Sequence, residues 1–275
     1  MGAIIWLASY PKSGNTWLRA FLFNLLRNPP QPASINELDS FCIGESAGGW
    51  YARRAGRPLG DMKMDAVMAL RPQVHRDFTR AFPDSVFVKT HNFLGECCNI
   101  ALQTMDVTAG AVYVVRNPLD VVISMSDHFG VSLDDAIERL ADKSAATETT
   151  DEHAAEFHSD WSTHVHSWTG HANPSLHIMR YEDMLDRPNR SFRELATFLG
   201  LTPPNDRLRR AIKFSSFETL KAQEQKDNFK ERSEYSRAFF RSGRKQQWRS
   251  TLSSSQIDQI VRDHGEQMGR FNYLP

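Results

Sequence analysis

The chain opens on a short apolar run, Ala3-Ile4-Ile5-Trp6-Leu7-Ala8, that breaks at Ser9-Tyr10-Pro11 and gives way, after Lys12-Ser13-Gly14, to a helical pattern. From Asn15 to Asn28 the apolar residues Trp17, Leu18, Phe21, Leu22, Leu25 and Leu26 recur at helical spacing, and Pro29 and Pro30 close the segment. A continuous apolar run predicts a strand buried on both faces, which is the strand of a parallel sheet covered by helices on both sides. Strand, tight loop and helix together make the place where such folds hold anions: exposed backbone N–H groups and the helix dipole favour negative charge.

The same unit returns where Ala111 to Val115 meets Arg116-Asn117-Pro118 and a predicted helix from Leu119 to Phe129, with Pro well placed inside the helix start. Val86-Phe87-Val88 and Leu176-His177-Ile178-Met179 read as two further inner strands. Four short strands separated by helical stretches imply an α/β fold with a central parallel sheet flanked by helices. Further helices are expected at 64–82, 133–141, 150–169, 189–199, 205–213 and 255–268. Segments 28–60, rich in Pro, Gly and Ser, and 221–243, charged with little apolar periodicity, read as loops or lids over a site. A chain of 275 residues is expected to form a single domain spanning 1–275.

Lys plus Arg and Asp plus Glu are 33 each, so net charge offers no argument for a nucleic-acid or membrane partner. The distribution is uneven: residues 134–160 hold nine acidic and two basic residues, and 205–249 hold six acidic and thirteen basic. A basic C-terminal third suits a small polyanion better than a long one. Three cysteines, Cys42 and the adjacent Cys97-Cys98, make no disulfide framework and show no metal-ligand spacing; a reducing, cytoplasmic setting is expected, with the Cys97-Cys98 pair buried in packing. The apolar start is too short for a signal peptide or membrane span.

Tyr10-Pro11-Lys12-Ser13-Gly14-Asn15-Thr16-Trp17 lacks the glycine that nucleotide triphosphatases carry four residues before Gly-Lys-Ser/Thr. Instead the octapeptide resembles the phosphosulfate loop of the sulfotransferases that use 3′-phosphoadenosine 5′-phosphosulfate (PAPS), with Asn15 the one departure from Tyr-Pro-Lys-Ser-Gly-Thr-Thr-Trp. Three more motifs in the family's order support the resemblance. Lys89-Thr90-His91 matches its catalytic Lys-Thr-His, Arg116-Asn117-Pro118-Leu119-Asp120 with Ser124 matches its 3′-phosphate motif, and Arg241-Ser242-Gly243 with Trp248-Arg249 is similar to its C-terminal signature. There Ser242 stands for a lysine and Gln246-Gln247 for Gly-Asp, which removes a positive charge that Arg244 or Lys245 is placed to restore. Arg180-Tyr181-Glu182-Asp183-Met184 and Ser215-Ser216-Phe217 sit where the family has its adenosine contacts. The opening and the Ser167-Trp168 to Tyr181 region look more like bacterial members, including those that sulfate glycopeptide natural products, than like animal cytosolic ones.

The resemblance implies a P-loop-like phosphosulfate site and a transfer of the sulfuryl group to a hydroxyl of a small-molecule or natural-product acceptor, leaving adenosine 3′,5′-bisphosphate (PAP). On that reading Lys12 stands at the bridging oxygen, the backbone of Ser13, Gly14, Asn15 and Thr16 holds the 5′-phosphate, and Lys89 touches the sulfuryl group. Arg116, Ser124, Arg241, Ser242 and Gly243 bind the 3′-phosphate; Trp17 and Phe217 sandwich adenine, with Tyr181 and Ser215 near its edge. His91 is the candidate general base, since imidazole titrates near working pH. A sulfuryl group carries less charge than a γ-phosphate, so no metal is expected. Taken singly, Lys-Ser-Gly before a helix is a cap and turn, Trp17 is core, and His91 is a hydrogen-bonded structural histidine. The ordered set of four motifs carries the functional reading.

Two other readings use the same residues: an ATP-dependent small-molecule kinase, opposed by the missing triphosphatase spacing and the strand ending in Arg116, and a non-catalytic nucleotide-binding protein, opposed by the presence of both Lys12 and His91. His164, His166 and His171 read as structural or surface residues, and His128 with Phe129 as a helix end, the alternative being the lining of an acceptor pocket. Trp50, Tyr51, Phe229, Tyr235, Phe239 and Phe240 are the aromatic candidates for an acceptor pocket. The acceptor and the oligomeric state are not specified by the sequence.

Overall fold

The computed structural model describes residues 2–275. Seven strands occur among them: β1 (Ile4–Ser9), β2 (Cys42–Gly44), β3 (Val86–Thr90), β4 (Glu96–Cys97), β5 (Ile100–Ala101), β6 (Thr108–Val115) and β7 (Leu176–Arg180). The helices are α1 (Asn15–Arg27), α2 (Leu38–Phe41), α3 (Gly48–Ala55), α4 (Met64–Ala81), α5 (Pro118–Phe129), α6 (Leu133–Ala141), α7 (Trp161–Thr169), α8 (Tyr181–Asp186), α9 (Pro188–Phe198), α10 (Asn205–Phe214), α11 (Phe217–Asp227), α12 (Trp248–Thr251) and α13 (Ser254–Arg270). Five strands form one all-parallel sheet in the order β2-β3-β1-β6-β7, and β4 and β5 form a separate antiparallel hairpin. This is a single α/β domain.

The apolar run of β1 is continuous because both of its faces are covered. Ile4, Trp6 and Ala8 pack with residues of α4, α5, α7 and α13 on one side. Leu7 packs with Leu18, Phe21, Leu22 and Leu25 of α1 and with α9 and α10 on the other. Those four α1 side chains are essentially fully buried, a gain of about 1.5–3 kcal/mol each before conformational entropy is counted. Helix α5 begins as its sequence suggests: the Asn117 side chain accepts the Leu119 N–H and Pro118 occupies the first turn.

Several elements differ from the sequence expectation. A fifth strand, β2, adds to the edge of β3; at three residues it is too short to read as a strand in the sequence, and its partner's register defines it. Segment 28–60 carries a 3-10 turn, α2, β2 and α3, so it is more ordered than a loop. The expected helix at 150–169 is helical over 161–169 alone. Residues before it run extended, bridging Ala47 to His153 and Ala146 to Phe157, until the Asp160 carboxylate caps α7 by accepting the Thr163 N–H. Of segment 221–243, residues to Asp227 complete α11 and the remainder is irregular. Cys97 and Cys98 are not core residues: they sit at the tip of the β4–β5 hairpin, Cys97 half-buried and Cys98 exposed.

Candidate active site

Parallel pairing sets Ala8 beside Thr90 and Ser9 beside Val114, so β1, β3 and β6 end at one edge of the sheet. The three loops that leave those ends carry Lys12, His91 and Arg116. They open on a cleft of about 880 Å³ whose walls include Lys12, Gly14, Asn15, Thr16, Trp17, Lys89, His91, Arg116, Ser124, Tyr181, Phe217, Arg241, Ser242 and Gly243. Sequence separation of more than 200 residues is thus closed by topology.

At the start of α1 the backbone is arranged for an anion. Gly14 stands at φ 106°, no side chain caps the helix, and Leu18 is the first residue of α1 whose N–H finds a carbonyl, that of Gly14 at 3.2 Å. A Cβ on Gly14 would lie 2.7 Å from the Tyr181 ring, so only glycine fits between the loop and that ring. Lys12 also has positive φ, 64°, an uncommon conformation for a residue with a side chain. Ser13 is buried, its hydroxyl has no partner, its N–H is given to the Tyr10 carbonyl at 3.3 Å, and it does not line the cleft. Asn15 does not offer its side chain to a ligand: its amide donates to the Leu7 carbonyl at 2.8 Å, tying α1 to β1.

The Lys12 ammonium donates to His128 Nδ1 at 3.3 Å and lies 4.2 Å from the centre of the Phe239 ring. Burial, followed by the nearby Arg116 charge, lowers its pKa to about 8. His128 therefore takes part in the site rather than serving only as a helix end, and burial together with Lys12 lowers its pKa to about 4. His91 Nδ1 lies 2.8 Å from the Ser9 carbonyl, an acceptor only, so Nδ1 carries the proton and Nε2 keeps a free lone pair. Burial and the Lys89 charge lower the His91 pKa to about 3, keeping the ring neutral. His164 is structural, as read from sequence: its Nε2–H donates to the His91 carbonyl at 3.1 Å and its Nδ1 accepts from the Tyr113 hydroxyl at 2.8 Å.

Arg116 donates to the Lys12 carbonyl at 2.9 Å and to Ser124 Oγ at 3.2 Å, and its guanidinium lies 4.4 Å from the centre of the Tyr181 ring. Its Nε is buried without a partner. Gly243 at φ 61° packs on the Phe217 ring, where an added Cβ would come within 2.3 Å. Of the two residues expected to replace the charge absent at Ser242, Lys245 is engaged with Asp186, whereas Arg244 shares a cavity wall with Arg241 and Gly243. Ser215 departs from its expected role. It is fully buried, its hydroxyl donates to the Ala211 carbonyl at 2.9 Å, and it does not reach the cleft.

Carboxylates to which the sequence assigned no role of their own hold this arrangement in place. Asp120 accepts the N–H of Gln246 at 2.7 Å and of Trp248 at 3.2 Å, pinning the Arg241–Gly243 segment to α5. Glu182 accepts the Asn117 N–H at 3.0 Å and the Tyr273 hydroxyl at 2.7 Å, behind Arg116. Glu224 accepts the N–H groups of Phe239 and Phe240 at 2.7 and 2.9 Å, and Glu231 forms a two-pronged ion pair with Arg19. Burial raises the Glu231 pKa, but Arg19 overcomes it and holds the group at about 2.

The end of the cleft beyond His91 is polar, with Ser46, Thr147, His153, Glu156 and His158 in its wall. Burial acts to raise the Glu156 pKa, yet the nearby His158 ring and the Lys89 charge hold it well below the usual carboxylate range. Trp50, Tyr51 and Phe229 take no part in this wall: Tyr51 is fully buried and donates to Glu45 at 2.6 Å, and Phe229 packs in a separate cluster. Tyr235, Phe239 and Phe240 do line the cleft. Among the described residues no three His, Cys, Asp or Glu side chains converge as metal ligands, and no helix is long and apolar enough to cross a membrane.

The family model of the sulfotransferase domain matches residues 4–272. Sulfotransferase 1A1 of Canis lupus familiaris is 23% identical over 276 residues, spanning 95% of this chain and 82% of the relative. Flavonol 3-sulfotransferase of Flaveria bidentis is 25% identical over 286 residues, spanning 96% and 81%. Among solved structures, mouse sulfotransferase SULT7A1 complexed with PAP superposes with a TM-score of 0.64 at 19% identity, covering 97% of this chain and 84% of the other. Retinol dehydratase in a complex with retinol and PAP gives 0.65 at 18% identity, covering 96% and 81%. The two solved structures share this chain's fold.

Proposed function

Because the chain belongs to the sulfotransferase family, we propose that it moves a sulfuryl group from PAPS to a hydroxyl of a small-molecule acceptor, with His91 as the base. One observation carries this reading: the uncapped start of α1, the Arg116–Ser124 pair and the free Nε2 of His91 open on the same cleft. PAP is also the ligand named in the solved structures of mouse SULT7A1 and retinol dehydratase.

The residues fit such a nucleotide. An N-terminus without a side-chain cap and a buried Arg116 Nε without a partner both await acceptor oxygens. The backbone of residues 14–17 would hold the 5′-phosphate, and Arg116, Ser124, Arg241 and the backbone of Gly243 the 3′-phosphate, with Arg244 supplying the charge absent at Ser242. Trp17 and Phe217 would flank the base. Bound PAPS supplies an activated sulfuryl group on a phosphate leaving group.

Sulfuryl transfer asks the protein chiefly to position an in-line attack and to neutralise charge on the leaving oxygen. Lys12 serves that oxygen, and its lowered pKa allows it to give up a proton there as well as a charge. His91 Nε2 takes the acceptor proton, and the Nδ1–H bond to the Ser9 carbonyl fixes the tautomer that permits it. Lys89 meets the sulfuryl oxygens. Segment 228–247 closes the cleft as a lid, with segment 28–60 on the acceptor side.

Thermal denaturation with PAP and with MgATP separates this from a kinase reading. PAP should raise Tm more than MgATP does; a larger rise with MgATP overturns the assignment.

A further inference from the structure

Of the carboxylates buried or half-buried around the cleft, five are fully engaged, and Asp127, also in its wall, accepts the Ser236 hydroxyl at 2.5 Å. Glu45 meets Arg71 at 2.9 Å and also accepts from Tyr51, Asn92 and His75; Glu231 meets Arg19; Asp120 and Glu224 each accept two backbone N–H groups; Glu182 accepts one N–H and a phenol. Glu156 is the exception. Its side chain is 13% exposed, its Oε1 accepts a single hydroxyl, Ser46 Oγ at 3.3 Å, and its Oε2 stands 3.9 Å from His158 Nε2, too far for a hydrogen bond. Among the described residues no Lys or Arg lies within 4.0 Å of it. His158 Nε2 is itself buried without a partner.

A buried carboxylate is costly unless a cation or several donors meet it, and one left open in the wall of a substrate cleft is a binding group without its ligand. A neutral, flat acceptor would cover that oxygen and return nothing for the water displaced. A cation would complete it. The neighbouring Ser46, Thr147 and His153 add hydrogen-bonding groups rather than an apolar surface.

We propose that Glu156 selects hydroxyl acceptors that also carry a cationic group, an ammonium or a guanidinium, which pairs with its open oxygen while the hydroxyl faces His91. The proposal rests on the sulfuryl-transfer reading of the same cleft and adds the acceptor's class to it. Lys89 steadies the carboxylate's charge from beyond ion-pair distance but leaves its open oxygen without a contacting cation.

Tyramine and para-ethylphenol share a ring and a hydroxyl and differ by the ammonium. Calorimetric titration of each into the wild-type protein, with and without PAP, reads the preference directly, and kcat/KM with PAPS reads it in turnover. The wild type should favour tyramine, and Glu156→Gln should lower the tyramine-to-para-ethylphenol ratio by roughly 10- to 100-fold, the range expected for a lost charged hydrogen bond. Glu156→Lys should shift the preference to para-hydroxyphenylpropionate. Equal or absent binding of tyramine by the wild type overturns the proposal, as does an unchanged ratio in Glu156→Gln; the wild-type comparison stands even where a variant fails to fold. Failure of PAP to raise Tm would strike the nucleotide reading instead, and titration without PAP still tests the acceptor end.

Discussion

His91 illustrates how one residue is prepared by its surroundings. The Ser9 carbonyl accepts a hydrogen bond from its Nδ1–H, His164 donates to the His91 carbonyl, and burial with Lys89 nearby keeps the ring neutral, so Nε2 is left as a free acceptor. His91→Ala should therefore cut turnover by roughly 10²- to 10⁴-fold, the usual size of a general-base contribution. Affinity for PAP should stay nearly intact, because no nucleotide-holding group among Arg116, Ser124 and the α1 start bonds to the imidazole. Single-turnover rates beside a PAP titration would check this. A collapse of PAP affinity in step with the rate would make His91 a binding residue and remove it as the base.

At the scale of elements, the irregular stretch after α11 is held by few anchors, and Glu224 is the most exacting of them. Its carboxylate is buried and accepts the N–H groups of both Phe239 and Phe240, so it fixes the phenylalanine that covers Lys12 and the chain that leads into Arg241–Gly243. Glu224→Ala leaves two amides unmet, each bond to the charged group being worth about 1.5–3 kcal/mol. PAP affinity should fall by roughly tenfold or more while the sheet stays folded, and hydrogen exchange should rise across 228–247. Faster exchange with unchanged PAP affinity would mean that this stretch does not hold the nucleotide. The same element shows what the sequence conceals. Lys12, His91 and Arg116 were legible because each belongs to a motif that resembles the family's and directly follows an apolar run, the local mark of a strand's carboxyl end. Glu224 and the anchoring role of Asp120 were not, since their partners are backbone amides, which leave no signature in residue type, and a carboxylate in a charged helix reads as a solvated face. The extended stretch before α7 was misread for a related reason: with Ala154 and Ala155 and no Gly or Pro between 150 and 160, it suits a helix locally, and bridges from His153 to Ala47 and from Phe157 to Ala146, both more than ten residues away in sequence, decide otherwise.

Across the whole molecule, the parallel sheet that brings three strand ends to one cleft also buries the histidines packed beside them. Every histidine with a resolved shift, His75, His91, His128, His164, His177 and His264, has its pKa lowered, with burial the first cause in each case. A lowered folded pKa means that the unfolded chain binds the proton more readily, so acid favours unfolding. Stability from these residues is present in full above the unfolded imidazole value of about 6.5 and is lost progressively as pH falls from there toward about 3, where His91 and His164 titrate in the fold. Each of those two contributes up to about 1.4 kcal/mol of destabilisation per pH unit in that window. The buried carboxylates act lower, chiefly around and below about pH 4.5, where unfolded glutamate is half protonated. Tm should thus decline already between about pH 6.5 and 5, ahead of the carboxylate range, and His164→Asn, which removes one titrating ring and its bond to the His91 carbonyl, should start from a lower Tm at neutral pH and decline less steeply. A wild-type Tm that stays level through that interval, measured by calorimetry in buffers of matched ionic strength, would show that the rings can take up protons within the fold, and the neutral His91 required of a base would lose its physical ground.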